Sequence, residues 1–235
     1  MGTSDFDRIR QTPAYPFVEA AHYLNVPYTT LRAWCVGTTY AHNKKKRHFE
    51  NVIELDGEPN EGLSFLNLVE AHVLTAIRRR HGIPLPKVRQ ALNYTSNELG
   101  ISRPLVNARF QTDGFDLFIE QLGLLVNVSQ DGQLEMRSIL EAYLKRIERD
   151  PSGVPIKLFP FTRRSEVDDS PAPIEMDPRV AFGRPVLVGR GVPTAVLADR
   201  FKAGDSLKEL SKDYETSTEE VEEAIRCELD RRKAA

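Results

Sequence analysis

The chain has 235 residues, 40% hydrophobic and 28% charged, with a formal net charge of −2. That length supports one large domain or two modest ones, and the near-cancelling charge excludes a uniformly basic nucleic-acid coat while leaving room for a local basic patch. No stretch approaches the roughly 18 consecutive apolar residues of a membrane span, the start MGTSDFDRIRQTP holds no apolar signal core, and Cys35 and Cys227 stand far apart without metal-like spacing; the expectation is a reduced, cytoplasmic protein with no metal or cofactor.

Charge is unevenly spread. Residues 1–100 carry 12 Lys/Arg and 10 Asp/Glu, residues 101–162 carry 7 and 8, and residues 163–235 carry 13 and 16. The first segment is net positive and the last net negative, which points the two ends at different partners.

Residues 14–34 include EAAHYLNVPYTTLRAW. Val18, Ala21 and Leu24 fall on one helical face, Asn25-Val26-Pro27 breaks the helix, and a second short helix from Tyr28 to Trp34 presents Leu31 and Trp34 on one side. Asparagine tolerates the left-handed backbone such a turn requires. Residues 35–60 lose helical periodicity. The imperfect alternation from Phe49 to Leu55, followed by the turn signal Asp56-Gly57, predicts a β-hairpin or wing. Two helices follow. One runs over 64–80, with Ser64 as N-cap; the other starts at Pro84 or Pro86 and closes at Gly100.

The middle, residues 101–162, reads as β-rich, with Asp113-Gly114 and Asp131-Gly132 as turn signals. It is interrupted by a helix from Glu135 to Arg149 and ends in a strand within 154–161. Residues 163–173 fall in a polar, Pro-containing stretch without periodicity and are the best linker in the chain. Three helical patterns follow, over 194–202, 206–213 and 218–232; Ser206 with Glu209 makes a capping box. The predicted class is α+β, mainly α: a winged helix-turn-helix domain with a β-containing extension over 1–162, a linker over 163–173, and a small helical domain over 174–235.

Ala21, Asn25, Leu31 and Trp34 carry helix-turn-helix spacing. A small residue lets two helices cross closely, and two later apolar residues pin the second helix to the first. Tyr28, Thr29, Arg32 and Ala33 then face outward, and a phenol, a hydroxyl and a guanidinium suit phosphates and base edges. An ordinary helical hairpin would share this spacing. Lys44, Lys45, Lys46 and Arg47 follow closely; alone such a run is usually a solvated loop, but beside a helix-turn-helix it adds salt-dependent affinity for the phosphate backbone. A second unit of similar rhythm, Ser206 to Ile225, is crowded by Asp213, Glu215, Glu219, Glu220, Glu222, Glu223, Glu228 and Asp230. Phosphate rows would repel that surface, so it is assigned to protein contacts. No catalytic constellation is present: the five His show no ligand pattern, and GRPVLVGRG lacks the GK[ST] of a phosphate cradle.

The segment from Ile174 onward, with Asp177-Pro178, Gly183-Arg184-Pro185-Val186, Gly189-Arg190-Gly191-Val192-Pro193, Ala203-Gly204 and Ser206, resembles a small domain family long catalogued as of unknown function. The usual Thr-Arg of that family is Arg190-Gly191 here. The N-terminal part resembles MerR-like helix-turn-helix regions, and the whole chain is similar to VapB-type antitoxins of mycobacterial VapBC pairs. That resemblance implies two jobs, neutralising a VapC-type PIN-domain toxin and binding promoter DNA, and binding a palindromic site would require a homodimer. It also implies an acidic, Mg²⁺-binding toxin centre, which guanidinium groups on mobile segments would fill; Arg163, Arg164, Arg231 and Arg232 are the candidates on charge. Two alternatives stay open: a MerR-like regulator binding a small effector in residues 101–162, and an adaptor that touches no DNA.

Overall fold

The computed structural model describes residues 3–42, 45–79, 83–163 and 171–229. Helix α1 (Thr3–Gln11) precedes the pair α2 (Phe17–Tyr23) and α3 (Tyr28–Val36), the hairpin of β1 (Thr38–His42) and β2 (Lys45–Phe49), and the long helices α4 (Phe65–Arg79) and α5 (Leu85–Leu99). A 3-10 turn at Pro104–Val106 and a π-turn at Phe110–Gly114 lead into α6 (Phe115–Val126) and α7 (Gln130–Leu144). Short strands β3 (Ile147–Arg149), β4 (Pro155–Leu158), β5 (Ile174–Glu175) and β6 (Val186–Leu187) precede α8 (Thr194–Ala203), α9 (Leu207–Asp213) and α10 (Thr218–Leu229).

Helix α4 is the centre. Residues 62–77 are all buried, polar ones included. The buried Ser64, Asn67, Glu70, His72 and Thr75 side chains each find a partner, as an interior without water demands. Ser64 caps the helix by accepting from the Asn67 N–H at 3.0 Å. Thr75 donates back to the Ala71 carbonyl at 2.8 Å, and the His72 Nε2–H donates to the Tyr143 carbonyl at 3.1 Å. Burial pushes the His72 imidazole down to about 4, so it is neutral. Glu70 is gripped by both ends of the Arg103 guanidinium, at 3.1 and 2.7 Å.

The strands join the two halves of the chain. β3 pairs antiparallel with β4, Leu158 bridges Met176, and β5 pairs antiparallel with β6. The chain therefore leaves at Leu158 and returns to the same place at Met176. The expected linker is an excursion fastened at both feet: Arg163 Nη2 lies 2.6 Å from Glu223 Oε1, and Arg146 Nη1 donates to the Pro171 carbonyl at 3.0 Å. Residues 164–170 lie outside the described residues. One buried apolar cluster extends from Tyr15 to Cys227, so the segments on either side of this excursion share a core.

The β-rich reading of residues 101–162 is overturned: 108–144 is almost wholly helical, and the described strands here are three and four residues long. Both Asp-Gly pairs misled. Gly114 sits where a Cβ would press on Leu99 and Thr95, so it serves close packing of α6 on α5. Gly132 lies in the first turn of α7, its N–H bonded to the capping Ser129 Oγ at 3.3 Å. Phe115, Phe118, Ile119 and Leu122 are buried at helical spacing. The helix expected over 135–149 runs instead from Gln130 to Leu144. The strand expected over 49–55 lies earlier, at Lys45–Phe49, and helix α1 went unforeseen.

Candidate nucleic-acid interface

Ala20 and Ala21 are fully buried where α2 meets α3, and Leu31 and Trp34 are buried from the other side. The turn is tight: Asn25 takes φ 55°, and the Val26 N–H bonds the Ala21 carbonyl at 3.0 Å. Asn25 also donates Nδ2 to the Phe161 carbonyl at 3.4 Å, which ties the turn to the chain after β4. Behind α3, the Val52 and Ile53 N–H groups donate to the Trp34 carbonyl at 2.8 and 3.0 Å, satisfying an otherwise orphan helix-end acceptor. The helix is thus fixed along one face.

Its other face carries the expected residues. Thr29 and Arg32 are exposed. Tyr28 is half-buried, its ring edge-on to Phe17 at 6.4 Å, which fixes its plane while leaving part of it at the surface. Ala33, expected to face outward, is half-buried. Thr29 and Ala33 border a shallow recess lined also by Arg78 near the end of α4 and by Leu85 and Pro86 at the start of α5. Gly37, at φ 76°, turns the chain from α3 straight into β1. In the hairpin, Lys45 is opposite His42, Lys46 opposite Ala41 and Arg47 opposite Tyr40. Three of the four expected cations therefore lie on β2; Lys44 falls outside the described residues.

The second unit repeats the shape. Glu215 takes φ 49° where Asn25 takes 55°, and the Thr216 N–H bonds the Ser211 carbonyl at 3.0 Å, as Val26 does Ala21. Its surface differs from expectation in two residues. Glu223 and Glu228, counted among surface acids, are buried. Glu228 accepts from the Thr194 hydroxyl at 2.6 Å. Glu223 accepts from Thr162 and Arg163 and stands 3.5 Å from Arg226. Arg163, expected to reach outward on a mobile arm, is tied to that buried carboxylate; Arg164, Arg231 and Arg232 lie outside the described residues. α10 carries a second, unforeseen capping box: the Glu220 N–H donates to Ser217 Oγ and the Ser217 N–H to Glu220 Oε2, each at 3.1 Å.

The C-terminal segment is seated on α2. The Tyr15 hydroxyl donates to the Gly183 carbonyl at 3.0 Å, Arg184 pairs with Glu19, and the His22 Nε2–H donates to the Cys227 carbonyl at 2.6 Å. None of these contacts follows from spacing, because each joins residues more than 160 positions apart. No helix among the described residues is long and apolar enough to cross a membrane.

Comparison with known proteins places a family on each unit. Residues 13–92 match a family described as "Putative DNA-binding HTH domain", and residues 174–226 match one described as "Protein of unknown function (DUF433)". The chain is 28% identical over 247 residues to "Putative antitoxin VapB45" of Mycobacterium tuberculosis, covering 95% of this chain and 97% of that protein. It is 22% identical over 230 residues to "Uncharacterized protein Rv2308" of the same organism, covering 95% and 91%. The crystal structure of Rv2018 from M. tuberculosis matches with a TM-score of 0.64 at 24% identity, over 91% of this chain and 97% of that one, and shows the same fold. The resemblance to VapB-type antitoxins is borne out, as is the mainly α class with a helix-turn-helix DNA-binding domain at the N-terminus. Support for an antitoxin or DNA-binding role comes from the relative named an antitoxin and from the helix-turn-helix family match.

Proposed function

We propose that this chain is an antitoxin that neutralises a PIN-domain ribonuclease and represses its own promoter. The observation that carries the DNA half is the division of α3: Leu31 and Trp34 anchor it, while Thr29 and Arg32 stand exposed directly before a hairpin whose second strand holds Lys45, Lys46 and Arg47. Tyr28, Thr29 and Arg32 read base edges and phosphates, and Lys44 to Arg47 add sequence-independent attraction. A palindromic operator calls for a homodimer.

The toxin half takes its support from the relative named an antitoxin and from the acidic second unit, whose surface suits protein more than DNA. The domain division at 163–173 is part of this reading. With Arg163 held by Glu223, the guanidinium groups left to meet the toxin's acidic centre are Arg164, Arg231 and Arg232. Co-expression with the product of the adjacent reading frame tests it directly. A stable, copurifying, PIN-type partner whose ribonuclease activity is silenced is the expected result. An unpartnered chain, or an active nuclease in the complex, contradicts it.

A second reading, small-effector control, draws on a cavity of about 200 Å³ between α4, α5 and the 104–106 turn. Glu70, Arg89, Asn93 and Arg103 line it over an apolar floor of Leu92 and Leu105. It opens before residue 106, not inside a β-rich middle. A thermal-shift screen of small zwitterions decides between the two readings, since a bound effector raises the melting temperature.

A further inference from the structure

Phe182 is 90% exposed, the most exposed of the large apolar side chains among the described residues. Its backbone is as unusual as its side chain. Ala181, Phe182 and Gly183 take φ values of 47°, 56° and 78°, three left-handed residues in a row of which only the last is glycine. L-residues with a Cβ avoid that region, and such conformations persist only where the surroundings enforce them.

Here the surroundings do enforce them. Gly183 and Arg184 donate N–H groups to the Val180 and Ala181 carbonyls at 2.9 and 3.1 Å. The Tyr15 hydroxyl, buried against Gly183, donates to the Gly183 carbonyl at 3.0 Å. Upstream, Asp177 is 2% exposed and holds Arg179 through Nε at 2.9 Å and Nη2 at 2.6 Å, and Arg179 in turn covers the Phe6 ring at 4.7 Å. A firmly held turn thus displays one benzyl group to water. A solitary exposed leucine on a helix is ordinary; an exposed phenylalanine on an enforced left-handed turn is a built feature.

Its neighbours say what it meets. Arg184, two residues on from Phe182, pairs with Glu19 of α2. In both pairs the guanidinium faces water more than its acid does: Arg179 and Arg184 are 41% and 39% exposed, against 3% for Asp177 and 29% for Glu19. Each pair thus turns its guanidinium side outward while staying charge-balanced. We propose that Phe182, with Arg179 and Arg184 close to it in the chain, anchors a partner protein that offers an apolar pocket edged with carboxylates. Resting on the antitoxin reading above, that partner is the toxin.

A second copy is the weaker occupant. The recesses beside α3, at Glu70 and at His22 all carry charged or hydroxyl groups in their walls, so none is an apolar cup for a benzyl group.

The test uses the full chain and the product of the adjacent reading frame, with binding measured by titration. Phe182→Ala is expected to weaken that complex by about 30-fold or more, the scale of an interface anchor, while Phe182→Leu retains most of it and promoter affinity is unchanged in both. Phe182→Gly, which removes the knob and suits the backbone, is expected to melt at or above the wild-type temperature. If the wild type binds the toxin and Phe182→Ala binds it within about 3-fold, the anchor is elsewhere and the antitoxin reading stands. If the wild type binds no such product, the antitoxin reading fails and takes the toxin assignment with it. Loss of self-association in Phe182→Ala, by sedimentation velocity, would give the site to a second copy and overturn the proposal. A clear drop in melting temperature for Phe182→Gly would make the ring structural and overturn it equally.

Discussion

Arg163→Ala separates a brace from a free arm. Arg163 Nε and Nη2 lie 2.9 and 2.6 Å from Glu223 Oε1, and Glu223 is 3% exposed. The variant leaves that carboxylate under protein with the Thr162 hydroxyl and the more distant Arg226. Removing one member of a buried pair costs roughly 3–5 kcal/mol. Arg163 is itself 41% exposed and Arg226 stands by, so the expected loss is about 2–3 kcal/mol. At about 2–4 °C per kcal/mol for a chain of this size, the melting temperature drops by about 4–12 °C. Acid should erase the difference. Burial pushes the Glu223 carboxyl up, but the hydrogen bonds from Arg163 and Thr162 outweigh it, and the net shift is downward. A depressed carboxyl contributes stability above its unfolded value of about 4.3, and that stability is lost as pH falls through the folded value. Urea melts followed by circular dichroism over a falling pH series therefore show the full gap at pH 7 and a shrinking one as the pH drops below about 4.3. A variant within about 0.5 kcal/mol of wild type at pH 7 refutes the brace and returns Arg163 to the partner-seeking arginines.

Three further outcomes are expected. A Cβ on Gly183 would lie 2.1 Å from Tyr15 Oη at φ +78°, so Gly183→Ala costs about 2–4 kcal/mol in urea melts; adding Tyr15→Phe recovers part of that cost, and strict additivity would show that the hydroxyl is not the obstacle. His72 is held near 4 against about 6.5 unfolded, so the unfolded chain binds the extra proton between these values and stability rises with pH across that window, by roughly 3 kcal/mol. His72→Phe flattens that rise, and an unchanged pH profile contradicts the assignment. Replacing Lys45, Lys46 and Arg47 with alanine lowers the slope of log affinity against log salt by about one unit for each phosphate no longer neutralised; an unaltered slope removes the hairpin from the DNA surface.

The sequence disclosed what is local. The spacing of Ala21, Asn25, Leu31 and Trp34 describes one helix pair within 14 residues, and the structure builds that pair with Asn25 left-handed at its turn. Ser64 and Ser206 declared their helices because a cap and its N–H partner are three residues apart. What spacing hides is burial. Glu223 and Glu228 sit among exposed acids in sequence, and only the approach of Thr162, Arg163 and Thr194 turns them inward. Glu70 and His72 interrupt an apolar pattern that reads as one-sided, yet α4 is covered all round. Phe182 gave no signal, since a left-handed phenylalanine is dictated by Tyr15 and Asp177, far off in the chain or outside any periodic pattern.

The central claim is that α3 reads DNA. Fluorescence anisotropy of the full chain on the DNA upstream of its gene, against a random duplex of equal length and across a salt series, tests it most directly. Wild type is expected to bind the upstream DNA tightly and the random duplex weakly at low salt. Arg32→Ala is expected to lose about 1–3 kcal/mol on the upstream site while barely changing on the random one. No binding at low salt, or an Arg32→Ala loss equal on both duplexes, would contradict it.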